Sequence, residues 1–193
     1  MGARRLGILG GTFDPVHHGH LLLALHAREQ LACRDILLIP NAHSPFKASG
    51  PKASFNDRMA MIHLAIEGTR GLACSDIEGK RGGVSYMIDT LHELRALHSQ
   101  AEFVLILGGD AYCDLPSWRD SADIRTLARI AVVARGGESP ALASSTDEVI
   151  QMPRFDISAS DIRARVRAGR LIDFLTPAPV AKYIIDHGLY RTT

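Results

Sequence analysis

The sequence predicts an α/β fold: a doubly wound, Rossmann-like parallel sheet with helices on both faces. Three observations support this prediction. Short, continuous apolar runs typical of buried strands recur along the chain. Amphipathic helical stretches separate these runs, as the right-handed crossovers of a parallel sheet require. Polar clusters follow three of the strands directly, and open α/β sheets bind their ligands at that edge.

Length and composition limit the class of protein. The 193 residues fit a single domain, 1–193, and 46% hydrophobic with 22% charged residues is ordinary globular composition. A net charge of +1 lacks the basic footprint of a nucleic-acid-binding protein. The longest apolar runs are too short to span a membrane. Three widely spaced cysteines favour a reducing, cytoplasmic setting. The sequence leaves open whether the protein forms a homo-oligomer.

Six strands are predicted from the apolar runs, which end at proline, glycine or polar residues. They are Leu6–Leu9, Asp35–Ile39, Leu72–Ile77, Phe103–Leu107, Ile130–Ala134 and Val149–Met152.

The helices between the strands carry start and stop signals. Ser54 and Asp57 form a capping-box pattern at the start of one helix. Ser85 is predicted to open another, after a cationic loop at Lys80–Gly83. Further helices are predicted for residues 158–168 and 180–187, each closed by a glycine.

The stretch Gly10–His20, GGTFDPVHHGH, lies between the first strand and the first helix. Paired glycines let backbone N–H groups approach a ligand, and the following helix directs its positive end the same way. The imidazoles of His17 and His20 add donors that can bond phosphate oxygens. We therefore interpret the stretch as a glycine-rich turn that binds nucleotide phosphates.

Simpler interpretations of this stretch exist. Glycines after a strand are often only a tight turn, and a histidine near a helix start is usually a cap or a surface residue. Zinc is the other alternative, but the histidines lack the cysteine or carboxylate spacing of zinc patterns.

The second cluster is Asp156–Arg163, DISASDIR. Ser158 and Ser160 lie at a predicted helix start, where unpaired N–H groups and the helix dipole favour an anion. Arg163 follows about one helical turn later and can bind a phosphate with two hydrogen bonds. The alternative is a serine cap with a surface arginine.

Three single residues are weaker candidates. Lys47, in the proline-bearing loop 41–52, is either a phosphate ligand or a solvated lysine. Asp110 follows two glycines after a buried strand and can accept ribose hydroxyls or cap a helix. Trp118, the only tryptophan, either stacks on an aromatic ligand or anchors the core.

Together, the two clusters resemble the nucleotidyltransferase superfamily marked by His-x-Gly-His and Ile-Ser-x-x-x-Ile-Arg. The chain is most similar to the bacterial nicotinate-nucleotide adenylyltransferases. That closer resemblance rests on SYMIDTL at 85–91, GGD at 108–110, LPSW at 115–118 and PVAKYIIDHGLY at 179–190.

The resemblance implies that AMP passes from ATP to nicotinate mononucleotide, with Mg²⁺ held mainly by the ATP phosphates and no protein metal site. It implies catalytic roles for His17, His20, Lys47 and Arg163, with His20 nearest the α-phosphate. It implies ATP-binding roles for Gly10, Gly11, Thr12, Phe13, Asp110, Ser158 and Ser160. It implies contacts with the mononucleotide for Ser85, Tyr86, Met87, Trp118 and Arg119.

The chain departs from the family's usual pattern in its finer substrate contacts. Phe46 stands where the family usually has a histidine, and Met87 stands where it usually has a threonine. Two alternatives remain open at this point. One is pantetheine-phosphate adenylyltransferase, which shares both signatures, and the other is a nucleotide-binding module without turnover.

Overall fold

The computed structural model describes residues 4–46, 50–137 and 140–191. Its core is one six-stranded sheet in which all neighbouring strands are parallel, in the order β3-β2-β1-β4-β5-β6. The strands are β1 (Arg4–Gly11), β2 (Asp35–Pro40), β3 (Leu72–Cys74), β4 (Ala101–Leu107), β5 (Ala128–Arg135) and β6 (Glu148–Met152). The predicted fold class is confirmed. The strand order reverses between β1 and β4, so their carboxyl ends flank a crevice.

Helices cover both faces of the sheet. They are α1 (His18–Gln30), α2 (Phe55–Ile66), α3 (Ile77–Arg81), α4 (Met87–Leu97), α5 (Gly109–Asp114), α6 (Ser121–Leu127), α7 (Ala159–Arg167) and α8 (Ala178–Asp186), and a 3₁₀ turn at Leu115–Ser117 follows α5. Apolar side chains of α1, α2, α7 and α8 pack on one face, and those of α3 to α6 pack on the other. No helix within the described ranges has the length and apolarity of a membrane-spanning segment.

Strand β2 shows why the strands are apolar throughout. Ile36 and Leu38 lie in the core on one face, whereas Leu37 and Ile39 lie in the core on the other. Successive side chains of a strand point to opposite faces, so a strand covered by helices on both sides needs apolar residues at every position.

The cap at Ser54 forms as predicted, and at Ser158 the structure shows the serine cap that was the alternative interpretation. Ser54 accepts a hydrogen bond from the Asp57 amide at 3.1 Å, and Ser158 accepts one from the Asp161 amide at 3.1 Å. Gly169 follows α7 with a φ of +64°. The chain therefore enters and leaves these helices where its local chemistry directs it.

Two local predictions are wrong. The third strand ends at Cys74, and residues 77–81 form α3 instead of a strand end and a cationic loop. Ile77 is buried in the core, and the Asp76 carbonyl accepts the Lys80 amide at 2.9 Å, which favours a helical turn. Ser85 does not cap α4, because the capping position is Tyr86.

Candidate active site

Two of the predicted polar clusters meet at the crevice between β1 and β4. Residues 12–17 connect β1 to α1, and residues 108–110 form the junction of β4 with the first turn of α5. Their position at the reversal of strand order is the position at which open α/β sheets bind ligands.

The glycine pair forms strand and not turn, contrary to the prediction. Gly10 and Gly11 are the last residues of β1 and pair with Ile39 and Pro40 of β2. A Cβ on Gly10 would lie 3.1 Å from Cε of Met87, and a Cβ on Gly11 would lie 3.0 Å from the Phe13 ring. A side chain at either position would therefore force its neighbour to shift by a few tenths of an ångström.

The connection after β1 is held by Arg58, a residue that the sequence reasoning missed. Arg58 belongs to α2 and is 1% exposed. Its Nη1 donates to the carbonyls of Thr12 and Asn41, both at 2.8 Å, and so joins the segments that follow β1 and β2. The sequence does contain a sign that Arg58 is buried, because Arg58 lies on the same helix face as the apolar residues Met61 and Ile62.

Asp14 is a second missed residue, and it connects remote parts of the chain. It is buried, and its Oδ2 accepts the Lys52 amide at 2.7 Å. Its Oδ1 accepts the Ala53 amide at 3.0 Å and the Tyr190 hydroxyl at 2.8 Å. Burial and the Asp14 carboxylate raise the pKa of Tyr190, so this hydroxyl keeps its proton and donates.

The two signature histidines stack at the start of α1. The His17 and His20 rings lie 3.7 Å apart between centroids, and the His17 amide donates to Nδ1 of His20 at 3.2 Å. Because Nδ1 accepts this bond, the ring proton of His20 lies on Nε2. A Cβ on Gly19 would lie 3.1 Å from the His17 ring, which explains the glycine between the histidines.

His17 is held in its neutral form. It is 7% exposed. Burial, with smaller contributions from the charges of His18 and Arg135, lowers the pKa of His17 to about 4. At neutral pH the ring is therefore an uncharged hydrogen-bonding group.

The second signature packs directly against the first. Ser158 caps α7, and its hydroxyl lies 3.1 Å from that of Ser160. Arg163 points back across the site, where its Nη1 donates to the main-chain carbonyl of Asp14 at 2.7 Å.

Two adjoining cavities open onto this arrangement, and His20, Leu23 and Arg135 line both. The larger, of about 690 Å³, we name the polar cavity. Candidate ligands that line it are Thr12, Phe13, His17, His20, Asp110, Ser158 and Arg163. The other, of about 620 Å³, is mainly apolar and we name it the apolar cavity. Candidate ligands that line it are Gly10, Gly11, His20, Ser85, Tyr86, Met87, Trp118 and Arg119.

Two candidates fall outside these linings. Ser160 lines neither cavity and reaches the site only through its contact with Ser158. Lys47 lies outside the described residues. Lys52, from the same loop, lines the polar cavity.

Arg135 is a third missed residue, and its position is central. It is the last residue of β5, is exposed, and lines both cavities. The signal in the sequence was a cation directly after a buried strand, at the edge of the sheet where the other polar clusters lie.

The positive charge of Arg119 is partly offset by neighbouring carboxylates, which the sequence did not indicate. Its guanidinium lies 3.6 Å from Asp89 and 3.5 Å from Asp120, and it packs over the Tyr86 ring at 4.8 Å. Two carboxylates therefore offset its positive charge. The Trp118 amide is also occupied, since it donates to the Leu115 carbonyl at 3.0 Å.

Metal-ligating side chains do not converge in the site. Among the residues that the structure describes, no three His, Cys, Asp or Glu side chains form a group able to hold a metal ion.

Comparison with known proteins identifies the family. The cytidylyltransferase-like family model matches residues 8–165. A protein of Thermomicrobium roseum is 41% identical over 197 residues, covering 97% of this chain and 92% of its own length. One of Roseiflexus sp. is 44% identical over 202 residues, covering 99% and 100%. Both carry the name "Probable nicotinate-nucleotide adenylyltransferase". The chain belongs to the nicotinate-nucleotide adenylyltransferase family.

Solved structures share the fold of this family member. The nicotinic acid mononucleotide adenylyltransferase of Plasmodium falciparum, complexed with NaAD, superposes with a TM-score of 0.78 at 20% identity and covers 97% of both chains. The same enzyme complexed with APC gives a TM-score of 0.77.

The two departures from the family pattern lie in one place. Phe46 and Met87 both line the apolar cavity. The Met87 methyl group packs against the bare Cα of Gly10.

Proposed function

We propose that the protein transfers the adenylyl group of ATP to nicotinate mononucleotide, which yields nicotinate adenine dinucleotide and pyrophosphate, a step of NAD biosynthesis. The observation that carries the proposal is the position of His20 and Arg135 at the junction of a polar and an apolar cavity. A reaction between two nucleotides needs two adjoining sites and a phosphate-binding group where they meet.

ATP is the ligand that suits the polar cavity. The start of α7 and the cations Lys52, Arg135 and Arg163 line this cavity. An anion gains from both the helix dipole and the guanidinium groups. In this arrangement Ser158 and Arg163 bind the β- and γ-phosphates, with Lys47 as a further predicted ligand.

Nicotinate mononucleotide is the ligand that suits the apolar cavity. Trp118 offers an aromatic face to the pyridine ring. The phosphate of the mononucleotide then extends towards His20, where the α-phosphate of ATP lies. An oxygen of the mononucleotide phosphate attacks the α-phosphorus, and the bond from that phosphorus to the bridging oxygen of the β-phosphate breaks.

The protein contributes positioning and charge stabilisation to this step. The Nε2–H of His20 donates to an α-phosphate oxygen, where negative charge develops. Arg135 reduces the repulsion between the two anionic substrates. Neutral His17 supports the His20 ring from behind through their stacking contact. No covalent intermediate with the protein is required.

Mg²⁺ enters this scheme as part of the substrate, bound to the ATP phosphates and water. The donor set fits such an ion, since Asp110 is the carboxylate exposed at the polar cavity and the described residues form no dedicated cage. Magnesium commonly binds through one or two carboxylates plus substrate phosphates. The ion supplies charge neutralisation for the departing pyrophosphate.

Discrimination between acid and amide is proposed to arise at the start of α4. Tyr86 and Met87 lie at its first turn and line the apolar cavity. The first N–H groups of a helix have no partner within the helix, and a carboxylate accepts from them with both oxygens.

The proposal also concerns the setting of the enzyme. Cys33, Cys74 and Cys113 are free thiols, which suits a reducing compartment, so we propose the cytoplasm. A homo-oligomer stays a prediction.

A substrate panel tests the proposal. Pyrophosphate release from ATP and Mg²⁺ is measured with nicotinate mononucleotide, nicotinamide mononucleotide and phosphopantetheine. We expect nicotinate mononucleotide to give the highest kcat/KM. Turnover with phosphopantetheine alone would assign the sister activity, and nucleotide binding without pyrophosphate release would assign a binding module.

A further inference from the structure

Two aromatic rings that line the apolar cavity stack against each other. Phe46 comes from the loop after β2, and Trp118 follows the 3₁₀ turn after α5. Their ring centroids lie 5.9 Å apart, and the ring planes are inclined by 30°. The lining of the apolar cavity thus contains a stacked aromatic pair, and each ring forms one wall of the space between them.

The two walls differ in how firmly they are held. Trp118 is half-buried and its amide is bonded to Leu115. Phe46 is 60% exposed. Full burial of a phenylalanine side chain stabilises a protein by about 1.5–3 kcal/mol, so an exposed ring beside a cavity retains surface that a ligand can cover.

The separation suits a flat ring after a small displacement. A ring in van der Waals contact with both walls needs about 7 Å between them, since aromatic carbons approach to about 3.5 Å. The two rings therefore have to separate by at least about 1 Å, and Phe46, as the more exposed of the two, is the ring that moves.

The charge at the cavity suits a cationic ring. A pyridine ring that is N-ribosylated carries a positive charge, and aromatic faces attract cations through the ring quadrupole. Of the two arginines that line this cavity, Arg119 has its charge offset by Asp89 and Asp120, and Arg135 lies at the junction with the polar cavity.

We propose that Phe46 is a substrate-contacting specificity residue that, together with Trp118, holds the cationic pyridinium ring of the mononucleotide between two aromatic faces. The inference rests on the proposed function. It also extends that function, because Phe46 and Trp118 together select N-ribosylated pyridinium rings over the neutral rings of other mononucleotides.

Trp118 provides a direct readout, because it is the only tryptophan in the chain. Its fluorescence is titrated with nicotinate mononucleotide and, separately, with uridine 5′-monophosphate, which has a neutral ring. The proteins compared are the wild type, Phe46→Leu and Phe46→Tyr. Phe174→Leu is the matched control, since Phe174 is 90% exposed and lines neither cavity.

Phe46→Leu is expected to raise the Kd of nicotinate mononucleotide by roughly fivefold to thirtyfold, the range that a cation–π contact supplies. KM should rise by a similar factor with little change in kcat. Phe46→Tyr keeps an aromatic face and should stay close to the wild type, as should Phe174→Leu. The Kd of uridine 5′-monophosphate should not respond to any of these changes.

Other results would overturn the inference. An unchanged Kd in Phe46→Leu would show that the ring does not contact substrate. An equal loss for both mononucleotides would show that Phe46 only shapes the cavity. A third result separates the two proposals. If nicotinate mononucleotide quenches the Trp118 fluorescence of the wild type and Phe46→Leu weakens this binding, but no pyrophosphate is released, then the proposed reaction fails and the role of the aromatic pair stands.

Discussion

Nη1 of Arg163 donates to the main-chain carbonyl of Asp14 at 2.7 Å, so the second signature motif binds the backbone of the first. The guanidinium also faces the polar cavity. One side chain thus fixes the relative position of the two motifs and presents charge to the ligand between them.

Arg163→Ala is expected to weaken ATP binding by roughly tenfold to a hundredfold, because hydrogen bonds to charged groups contribute about 1.5–3 kcal/mol. Binding of nicotinate mononucleotide should change little. Both dissociation constants are measured by calorimetry. Arg165→Ala is the control, because Arg165 lies on the same helix and bonds the Leu171 carbonyl, away from both cavities. Equal losses for the two ligands would contradict the placement of Arg163.

His20→Ala is expected to lower kcat by on the order of a hundredfold or more, since it removes a donor to the oxygen on which charge develops. Steady-state kinetics and a thermal melt measure the two effects separately. His26→Ala serves as the control, because His26 lies later on α1 and lines neither cavity. An unchanged kcat would remove His20 from the mechanism.

Arg135→Ala is expected to raise KM for both substrates, because Arg135 lines both cavities. The loss should be larger at low ionic strength, where an exposed charge is least screened. KM is measured for each substrate at two salt concentrations. A change in one KM alone would place Arg135 in one subsite instead of at the junction.

Acidification is expected to destabilise the protein through His17. Its pKa is about 4 in the folded protein against 6.5 for an unperturbed histidine. Between these values the unfolded chain binds a proton that the folded chain does not, so stability falls as pH falls. The slope approaches about 1.4 kcal/mol per pH unit and is lost above pH 6.5. Urea unfolding of the wild type and His17→Asn at pH 7, 6 and 5 should therefore give diverging pH profiles. Parallel profiles would show that His17 is not the cause of the loss of stability at low pH.

The acid substrate is expected to be preferred over the amide by at least roughly tenfold in kcat/KM, because an amide turns a donor towards the N–H groups of α4 and leaves both unpaired. Arg119→Ala should narrow the preference only partly, since Asp89 and Asp120 already offset the charge of Arg119. Kinetics with both mononucleotides measure the ratio. Equal turnover of the two would indicate a dual-specificity enzyme.

Features set by neighbouring residues could be predicted from the sequence. The Ser54 and Ser158 caps form because the partners lie three residues away. The fold class followed from the apolar runs, because strands covered on both faces have no other composition.

Features set by distant partners could not be predicted. The pairing of Gly10 with Ile39 decides that the glycines extend β1. Ser85 resembles a helix cap, yet its hydroxyl accepts the Ala42 amide at 2.9 Å. The sequence likewise gives no partner for Asp14, whose carboxylate contacts come from residues 52, 53 and 190.

The bond between Tyr190 and Asp14 has a consequence for biosynthesis. The two residues are separated by 176 positions. A ribosome translating at about 5–20 residues per second completes the first signature many seconds before Tyr190 leaves the exit tunnel. Throughout that time the Asp14 carboxylate lacks its hydroxyl donor. This contact between the two ends of the chain therefore forms only after all six strands have been made.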